Sequence, residues 1–257
     1  MSKPVRRILV TNDDGIDAPG LKIAKQIADQ LSDDVWVVAP AEENSGASHS
    51  LTFTKPIRLI KKGPKKYAVT GTPTDCVVVA TRQLLRDNLP DLVLSGVNFG
   101  QNIAEDVSYS GTVSAAKEGT IVGIPSVALS QMVSPDGKRQ IRFQIAAKYG
   151  AGIIKKLVAE GWPQGTLINI NFPHIDLKVT PEIVVTNQGK RDINILQLDE
   201  RLDPRGSPYY WYNFDRTNFK HPKGSDLEAL YQGKITVTPL KMDHTDTALK
   251  RKLTKLF

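Results

Sequence analysis

The first 40 residues alternate between apolar runs and a segment of helical periodicity, and this order strongly constrains the fold. Arg7–Thr11 and Val35–Pro40 are short apolar runs of the kind that form buried strands. Between them, apolar residues recur at helical spacing from Leu21 to Leu31, and Pro19 suits a helix start. The order strand, helix, strand predicts a βαβ unit and therefore a parallel sheet.

The alternation continues to about residue 187 and then changes. Further strands are predicted at 91–95, 124–129 and 167–171, helices at 73–86, 112–120 and 142–160, a hairpin at 57–69 and a long loop at 96–111. We expect a doubly wound α/β core with a mainly parallel sheet over residues 1–187. Residues 188–257 are expected to form a C-terminal extension, not an independent domain, with hairpin-like strands and a tail helix at 248–256.

Composition indicates a soluble globular protein that can form a core without disulfide cross-links. The 257 residues are 40% hydrophobic and 24% charged, and the single cysteine, Cys76, has an apolar setting typical of a packed core thiol. The N-terminus lacks the apolar region of a signal peptide, and no run approaches the roughly 20 apolar residues of a membrane span. We expect a cytoplasmic enzyme with no membrane partner.

The formal net charge of +7 suits an anionic ligand. The basic runs, such as Lys61-Lys62 and Lys250-Arg251-Lys252, look peripheral and are not interleaved with aromatic residues. A solvated surface is therefore favoured over a nucleic-acid stripe. A nucleotide- or RNA-binding module without hydrolytic activity stays open as an alternative.

Polar residues follow each predicted core strand, where ligands of open α/β sheets bind. Asn12-Asp13-Asp14-Gly15 comes after the first strand, and two adjacent carboxylates are costly unless a cation neutralises them. An Asx-rich turn is the alternative reading of this motif. Its place at the exit of a buried strand favours a metal site.

The next two strand exits carry neutral oxygen donors. A small-residue loop with Ser45 follows the second strand, where His49 is more typical of a surface histidine than of a general acid. Asn98 and Asn102 follow the third, in a segment that matches neither a dinucleotide fingerprint nor a Walker motif and that a turn-rich connection would also explain.

Ser110-Gly111-Thr112 opens a predicted helix and presents free backbone N–H groups and hydroxyls. This pattern fits an anion site, a simple helix cap, or both, because both use the same donors. Two carboxylates, an amide and a hydroxyl form a hard oxygen set that favours Mg²⁺ or Mn²⁺, with Ca²⁺ as a further candidate, over Zn²⁺.

The joint pattern resembles the SurE family of stationary-phase survival proteins, which act as nucleoside-monophosphate phosphatases. The resemblance covers nearly the full length and rests on the segments 8–15, 37–40, 44–48, 70–77, 95–102 and 109–116, with later landmarks at 209–211 and 235–240. It implies a Rossmann-like core, one divalent cation per subunit, and C-terminal elements exchanged or packed between the subunits of a homodimer or homotetramer.

The resemblance also implies roles for individual residues. Asp13, Asp14, Ser45 and Asn98 take the metal-ligand positions. Asn102, with the Ser110-Gly111-Thr112 turn, takes the phosphate pocket, and Asp13, Asp14 and Asn102 are the expected catalytic residues. His49 has no assigned role, because other members can carry Asn there. The expected reaction is hydrolysis of nucleoside 5′-monophosphates, with 3′-nucleotides and short polyphosphate as further possible substrates.

The nucleophile is expected to be a water molecule activated at the acidic pair, since direct attack by Asp13 or Asp14 requires a carboxylate free of tight metal binding. Two other classes of α/β protein with an acidic pocket match this sequence less well. Haloacid-dehalogenase phosphatases need Asp where this chain has Asn12, and phosphorelay receivers need an acceptor Asp where it has Ser95-Gly96-Val97-Asn98.

Overall fold

The computed structural model describes residues 3–134, 143–191, 196–214 and 221–257. Most strands form one nine-stranded sheet, and the other two form a separate antiparallel hairpin. The nine are β1 (Arg7–Thr11), β2 (Asp34–Pro40), β3 (Leu59–Gly63), β4 (Lys66–Val69), β5 (Leu92–Phe99), β6 (Ser126–Gln131), β7 (Thr166–Phe172), β8 (Ile183–Val185) and β11 (Ile235–Lys241). The hairpin is β9 (Leu196–Leu202) and β10 (Pro208–Phe214).

The strand order β3-β4-β2-β1-β5-β6-β7-β11-β8 confirms the predicted α/β fold. The pairs β2–β1, β1–β5, β5–β6 and β6–β7 are parallel, so their carboxyl ends meet at one edge. From β1 the chain winds to β2 on one side, whereas β5 continues through β6 to β7 on the other. The reversal between β1 and β5 is where a ligand crevice forms in such sheets.

Helices cover both faces of the sheet. They are α1 (Pro19–Leu31), α2 (Pro73–Val79), continued by a π-helical turn over Ala80–Leu84, α3 (Asp106–Tyr109), α4 (Gly111–Ile121), α5 (Gln144–Glu160), α6 (Asp226–Tyr231) and α7 (Thr247–Leu253). Helices α1 and α5 pack together over one face through residues such as Ile27 and Ile154. Helices α2 and α4 pack over the other through Val77 and Ala115.

Three elements differ from the sequence-based expectation. Strand β5 continues four residues beyond Ser95, so the expected loop at 96–111 is a strand end, a shorter connection and α3. Gly150 and Gly152 were expected to break the long helix mildly, but α5 is continuous. After residue 188, the hairpin-like strands expected in the extension are present as β9 and β10, whereas the short helix α6 was not expected.

The C-terminal extension is joined to the core through its last strand. Strand β11 pairs antiparallel with β7 and parallel with β8 and so completes the main sheet. The division of the chain at residue 188 stays a prediction. Within the described ranges, none of the helices has the length and apolar character needed to span a bilayer.

Candidate functional site

Asp13 and Asp14 lie at the carboxyl end of β1, in the crevice between β1 and β5. Asp13 is buried, with 4% of its surface exposed, and its carboxylate accepts hydrogen bonds from the hydroxyl and the backbone N–H of Thr112. Asp14 is half-buried, and its Oδ2 accepts a hydrogen bond from the Phe99 backbone N–H at 3.1 Å. Helix α4 therefore holds the Asp13 carboxylate, and strand β5 holds the Asp14 carboxylate.

The acidic pair carries uncompensated negative charge. Among the described residues, no lysine or arginine forms a salt bridge with either carboxylate. Burial raises the pKa of Asp13, and the Thr112 hydrogen bonds only partly oppose this. Burial, followed by the charge of Asp13, raises the pKa of Asp14 to about 7. Such a pair favours a bound cation, because a cation would stabilise both charged forms.

Glu43 is a third carboxylate close to this pair. Its charge raises the pKa of both Asp13 and Asp14, although it belongs to the loop after β2. The Ser45 hydroxyl donates to Glu43 Oε1 at 2.9 Å, so this loop brings Ser45 to the acidic edge. The Asn44 N–H donates to the Asp13 carbonyl oxygen at 2.8 Å, which fixes the start of the loop to the β1 exit.

A bulge in β5 sets the place of Asn98. Ser95 pairs with Ala128 and Asn98 with Ser130, so β5 has one more residue than β6 between these pairs. Gly96 is in the extra segment with a φ of 132°, and a Cβ there would meet the Leu129 carbonyl oxygen at 2.1 Å. Bulges next to active sites redirect side chains. The Asn98 Nδ2 donates to the Gly100 carbonyl at 2.9 Å, and none of the described residues donates a hydrogen bond to its Oδ1.

Helix α4 points its N-terminus at Asp13. The Ser110 hydroxyl caps the helix by accepting a hydrogen bond from the Val113 N–H at 3.0 Å. The Ser110-Gly111-Thr112 motif is therefore a helix cap, as one of the two interpretations predicted. The Thr112 donors are directed to Asp13, which is itself the anion at the helix N-terminus in this structure. Gly111 is one of the three residues predicted to bind phosphate here. It has no side chain, and its backbone packs against Asp13.

Asn102 lies in a separate buried cluster. Its Nδ2 donates to Ser130 Oγ at 2.8 Å, and its backbone N–H donates to Asn171 Oδ1 at 2.8 Å. Its carbonyl oxygen accepts from Asn169 Nδ2 at 2.7 Å and from Asn171 Nδ2 at 3.1 Å. None of the described hydrogen bonds joins Asn102 directly to Asp13 or Asp14.

The oxygen donors fit a hard divalent cation better than zinc. Within the described ranges, no three His, Cys, Asp or Glu side chains form a metal-binding group. The set at the crevice instead combines two carboxylates with the oxygens of Ser45 and Asn98, which suits Mg²⁺ or Mn²⁺. Asn12 Oδ1 is also buried there without a hydrogen-bond partner, an arrangement that leaves a neutral oxygen near the pair.

The comparisons with known proteins identify the family of this chain. The family model described as Survival protein SurE matches residues 8–195. The chain belongs to the SurE family. It is 54% identical to the protein named 5′-nucleotidase SurE from Parvibaculum lavamentivorans, over 93% of this chain and 86% of that one. It is 53% identical to the 5′-nucleotidase SurE of Azorhizobium caulinodans, over 98% of each.

A solved SurE structure has the same fold. The crystal structure of the SurE protein from Aquifex aeolicus superposes with a TM-score of 0.85 at 40% identity, covering 97% of this chain and 99% of that one. The sequence-based identification of the family and of the α/β fold is therefore confirmed.

A cavity of about 380 Å³ lies beside the acidic crevice in this SurE chain. It is formed where β2 and β4 end, and its lining includes Glu42, Glu43, Thr52, Lys55, Thr70 and Thr72. Asn44 also lines the cavity, and its N–H donates to the Asp13 carbonyl oxygen at 2.8 Å, so the cavity and the crevice adjoin. The volume is within the range of small-molecule sites.

The sequence analysis missed the contributions of Glu43, Asn169 and Asn171. Glu43 stands two residues before Ser45, and its position directly after a strand was the available signal. Asn169 and Asn171 alternate with apolar residues on β7, which reads as an ordinary half-buried strand. Nothing in the sequence pairs them with Asn102, about 70 residues earlier along the chain.

Proposed function

We propose that this SurE-family chain is a divalent-metal-dependent phosphatase that hydrolyses nucleoside 5′-monophosphates to nucleoside and phosphate. The observation that carries the proposal is the pair Asp13 and Asp14 at the end of β1: Asp13 is buried against the N-terminus of α4, Asp14 is half-buried beside β5, and none of the described lysines or arginines forms a salt bridge with either. The relatives' shared name, 5′-nucleotidase, supports the reaction and the substrate class.

One divalent cation per subunit would be held by Asp13, Asp14, Ser45 and Asn98. The donor set suits Mg²⁺ or Mn²⁺, and Ca²⁺ could take the same place in crystals. When bound, the cation supplies charge neutralisation at the phosphate oxygens during ester cleavage.

The phosphoryl group would be bound beside the acidic edge, near the start of α4. The N-terminus of this helix is a favourable place for an anion, and Ser110 and Gly111 belong to its first turn. Thr112 would contribute to the same region while keeping Asp13 oriented. We assign Asn102 to phosphate binding on the side of the crevice nearer β6 and β7, where its cluster fixes its position.

The reaction needs a nucleophile and a proton acceptor. We propose that water attacks phosphorus: a P–O bond forms to the water oxygen, one water proton passes to the acceptor carboxylate and the other stays on the phosphate. The ester P–O bond breaks, and the nucleoside oxygen leaves and takes up a proton from solvent, which is balanced when the acceptor carboxylate releases its proton. Asp14 is the better acceptor for the water proton, because Asp13 is more deeply buried and is held by both Thr112 donors. Trapping of a phosphorylated Asp13 or Asp14 would contradict this assignment.

We place the nucleoside in the 380 Å³ cavity beside Glu43. Its threonine hydroxyls and carboxylates can bond sugar hydroxyls and base edges, and the exposed Lys55 can approach an anionic group. Activity on 3′-nucleotides and on short polyphosphate is the broader part of the proposal, since both present a terminal phosphate to the same crevice.

We also propose that the chain works as a homodimer or homotetramer. The support is the apolar surface left exposed by the extension: Tyr210, Trp211 and Tyr212 on β10, and Leu249 and Phe257 around α7. Large exposed apolar patches mark association surfaces.

A single assay tests the enzyme against the alternative of a nucleotide- or RNA-binding module. Hydrolysis of p-nitrophenyl phosphate is measured with Mn²⁺ and with a chelator. An enzyme of the proposed kind releases phosphate only with the metal. A binding module releases none in either condition, and that result would reject the proposal.

A further inference from the structure

The segment Ile103–Asp106 joins the predicted phosphate-binding residue Asn102 to helices α3 and α4, and the C-terminal extension holds it in place. Asp226, fully buried at the start of α6, accepts the Ala104 N–H at 3.0 Å. Its other oxygen accepts the N–H groups of Gly189 and Leu227, each at 2.8 Å. One carboxylate therefore ties this segment to two separate parts of the extension.

Arg191 makes a second connection to the same segment. Its guanidinium bonds both oxygens of Asp106 at 2.7 Å and donates to the Ile103 carbonyl at 3.1 Å. Its backbone N–H donates to the Glu105 carboxylate at 2.9 and 3.1 Å. Only 11% of the Arg191 side chain is exposed. A two-point bond of this kind sets direction as well as distance.

The conformation of the segment needs such support. Ala104 has a φ of 52°, which is unfavourable for a residue with a Cβ and persists where surrounding contacts hold it. The Ala104 carbonyl accepts from Gln188 Nε2 at 2.9 Å, so both backbone groups of Ala104 are bonded to the extension.

Asn102 is thereby held from two sides. Its side chain and backbone are bonded to Ser130 on β6 and to Asn169 and Asn171 on β7. The next residues along the chain are bonded to Asp226 and Arg191. After them come α3 and the cap of α4, so a shift of the segment would move both Asn102 and Ser110.

We propose that Arg191 and Asp226 are positioning residues, which hold the 103–106 segment so that Asn102 and the N-terminus of α4 bind the substrate phosphate together. The extension thus completes the phosphate site in addition to any role between subunits. This inference rests on the proposed function. It distinguishes the two carboxylates from Asn102: Asp14 is held by β5 and Asp13 by Thr112, whereas Asn102 adjoins the segment that Arg191 and Asp226 hold.

The test compares Arg191→Ala, Arg191→Lys and Asp226→Asn with the native full-length chain. Arg201→Ala is the matched control, because its guanidinium bonds Asp199 on the exposed hairpin and lies outside the site. The dissociation constants of Mn²⁺ alone, and of inorganic phosphate in the presence of Mn²⁺, are measured by titration calorimetry. KM and kcat are measured with a nucleoside monophosphate.

We expect Arg191→Ala and Asp226→Asn to weaken phosphate binding roughly 10- to 100-fold and to raise KM, with a much smaller loss of Mn²⁺ affinity, because Asp14 and most of the metal-ligand set do not contact the 103–106 segment. Arg191→Lys should recover part of the loss, and it replaces Arg191→Ala if that variant does not fold. Phosphate affinity equal to that of the native chain in a folded variant would overturn the inference, as would equal losses of phosphate and Mn²⁺ affinity. A native chain without phosphatase activity would instead reject the proposed function.

Discussion

A Cβ atom on Gly111 would lie 2.8 Å from the Cβ of Asp13, closer than real Cβ atoms approach other heavy atoms. Helix α4 therefore reaches the acidic pair only because its first residue has no side chain. This contact puts the Thr112 donors beside the Asp13 carboxylate. The acidic edge of the sheet and the helix that faces it therefore fit together only because residue 111 is a glycine.

Gly111→Ala should lower activity strongly, and the forced shift should also cost on the order of 1 to 3 kcal/mol of stability. The added methyl group must displace Asp13 or the start of α4, and we expect kcat/KM to fall roughly 100-fold. Gly152→Ala is the control, because this helical glycine has nothing within 4 Å of an added Cβ and should keep full activity. Equal activity in both variants would show that the fit at Gly111 is unimportant. Initial rates with a nucleoside monophosphate decide between these outcomes.

The sequence predicted the parts of this site that depend on local pattern. Asp13, Asp14 and the cap at Ser110 follow from strand exits and helix starts, which are short-range features. The bulge that places Asn98 could not be predicted, because it depends on the pairing of β5 with β6. The contacts of Asn102 with Asn169 and of Ala104 with Asp226 join residues far apart in sequence. Local sequence patterns carry no information about such contacts, so they could not be predicted.

The metal-free protein should lose stability as the pH rises. The pKa of Asp14 is raised from 3.8 to about 7 in the folded chain. As the pH rises, the unfolded chain therefore loses the Asp14 proton first, while the folded chain still holds it. The stabilisation is present below about pH 4 and is lost by about pH 7, an effect on the order of 1 to 3 kcal/mol. Asp14→Asn removes the contribution of Asp14, although Asp13, whose pKa burial also raises, keeps its own, and the variant should be the more stable chain at pH 8 without metal.

Denaturant unfolding at pH 5 and pH 8, with chelator, measures this difference. Asp17→Asn is the control, since Asp17 is an exposed carboxylate in the same turn. Mn²⁺ should stabilise the native chain at pH 8 but not Asp14→Asn, because a ligand that binds only the folded state raises its stability. A native chain and an Asp14→Asn variant with the same change between the two pH values would contradict the raised pKa.

Ser45→Ala should weaken metal binding. The hydroxyl oxygen is a neutral ligand in the proposed set, so its loss should raise the Mn²⁺ dissociation constant roughly tenfold. Ser50→Ala is matched in loop and chemistry, but the Ser50 hydroxyl donates only to the Ala47 carbonyl. Calorimetric titration of both variants should show the effect at Ser45 alone. Similar affinities in the two variants would remove Ser45 from the ligand set.

Lys55→Ala should affect the nucleoside and not the phosphate. Lys55 lines the cavity beside Glu43 and forms no salt bridge with the described residues. We expect KM for nucleoside monophosphates to rise by about 3- to 10-fold, with KM for p-nitrophenyl phosphate unchanged. Lys61→Ala, on the exposed strand β3, is the control. Parallel changes for both substrates would place the nucleoside elsewhere.

The most direct measurement of the central claim is phosphate release from a panel of nucleoside 5′- and 3′-monophosphates, with and without Mn²⁺, by the native chain and by Asp14→Asn. The account predicts release that requires the metal and that the substitution abolishes, while Asp17→Asn behaves as the native chain. Release that depends on neither the metal nor Asp14 would contradict it, because the acidic pair would then be only a turn at the end of β1.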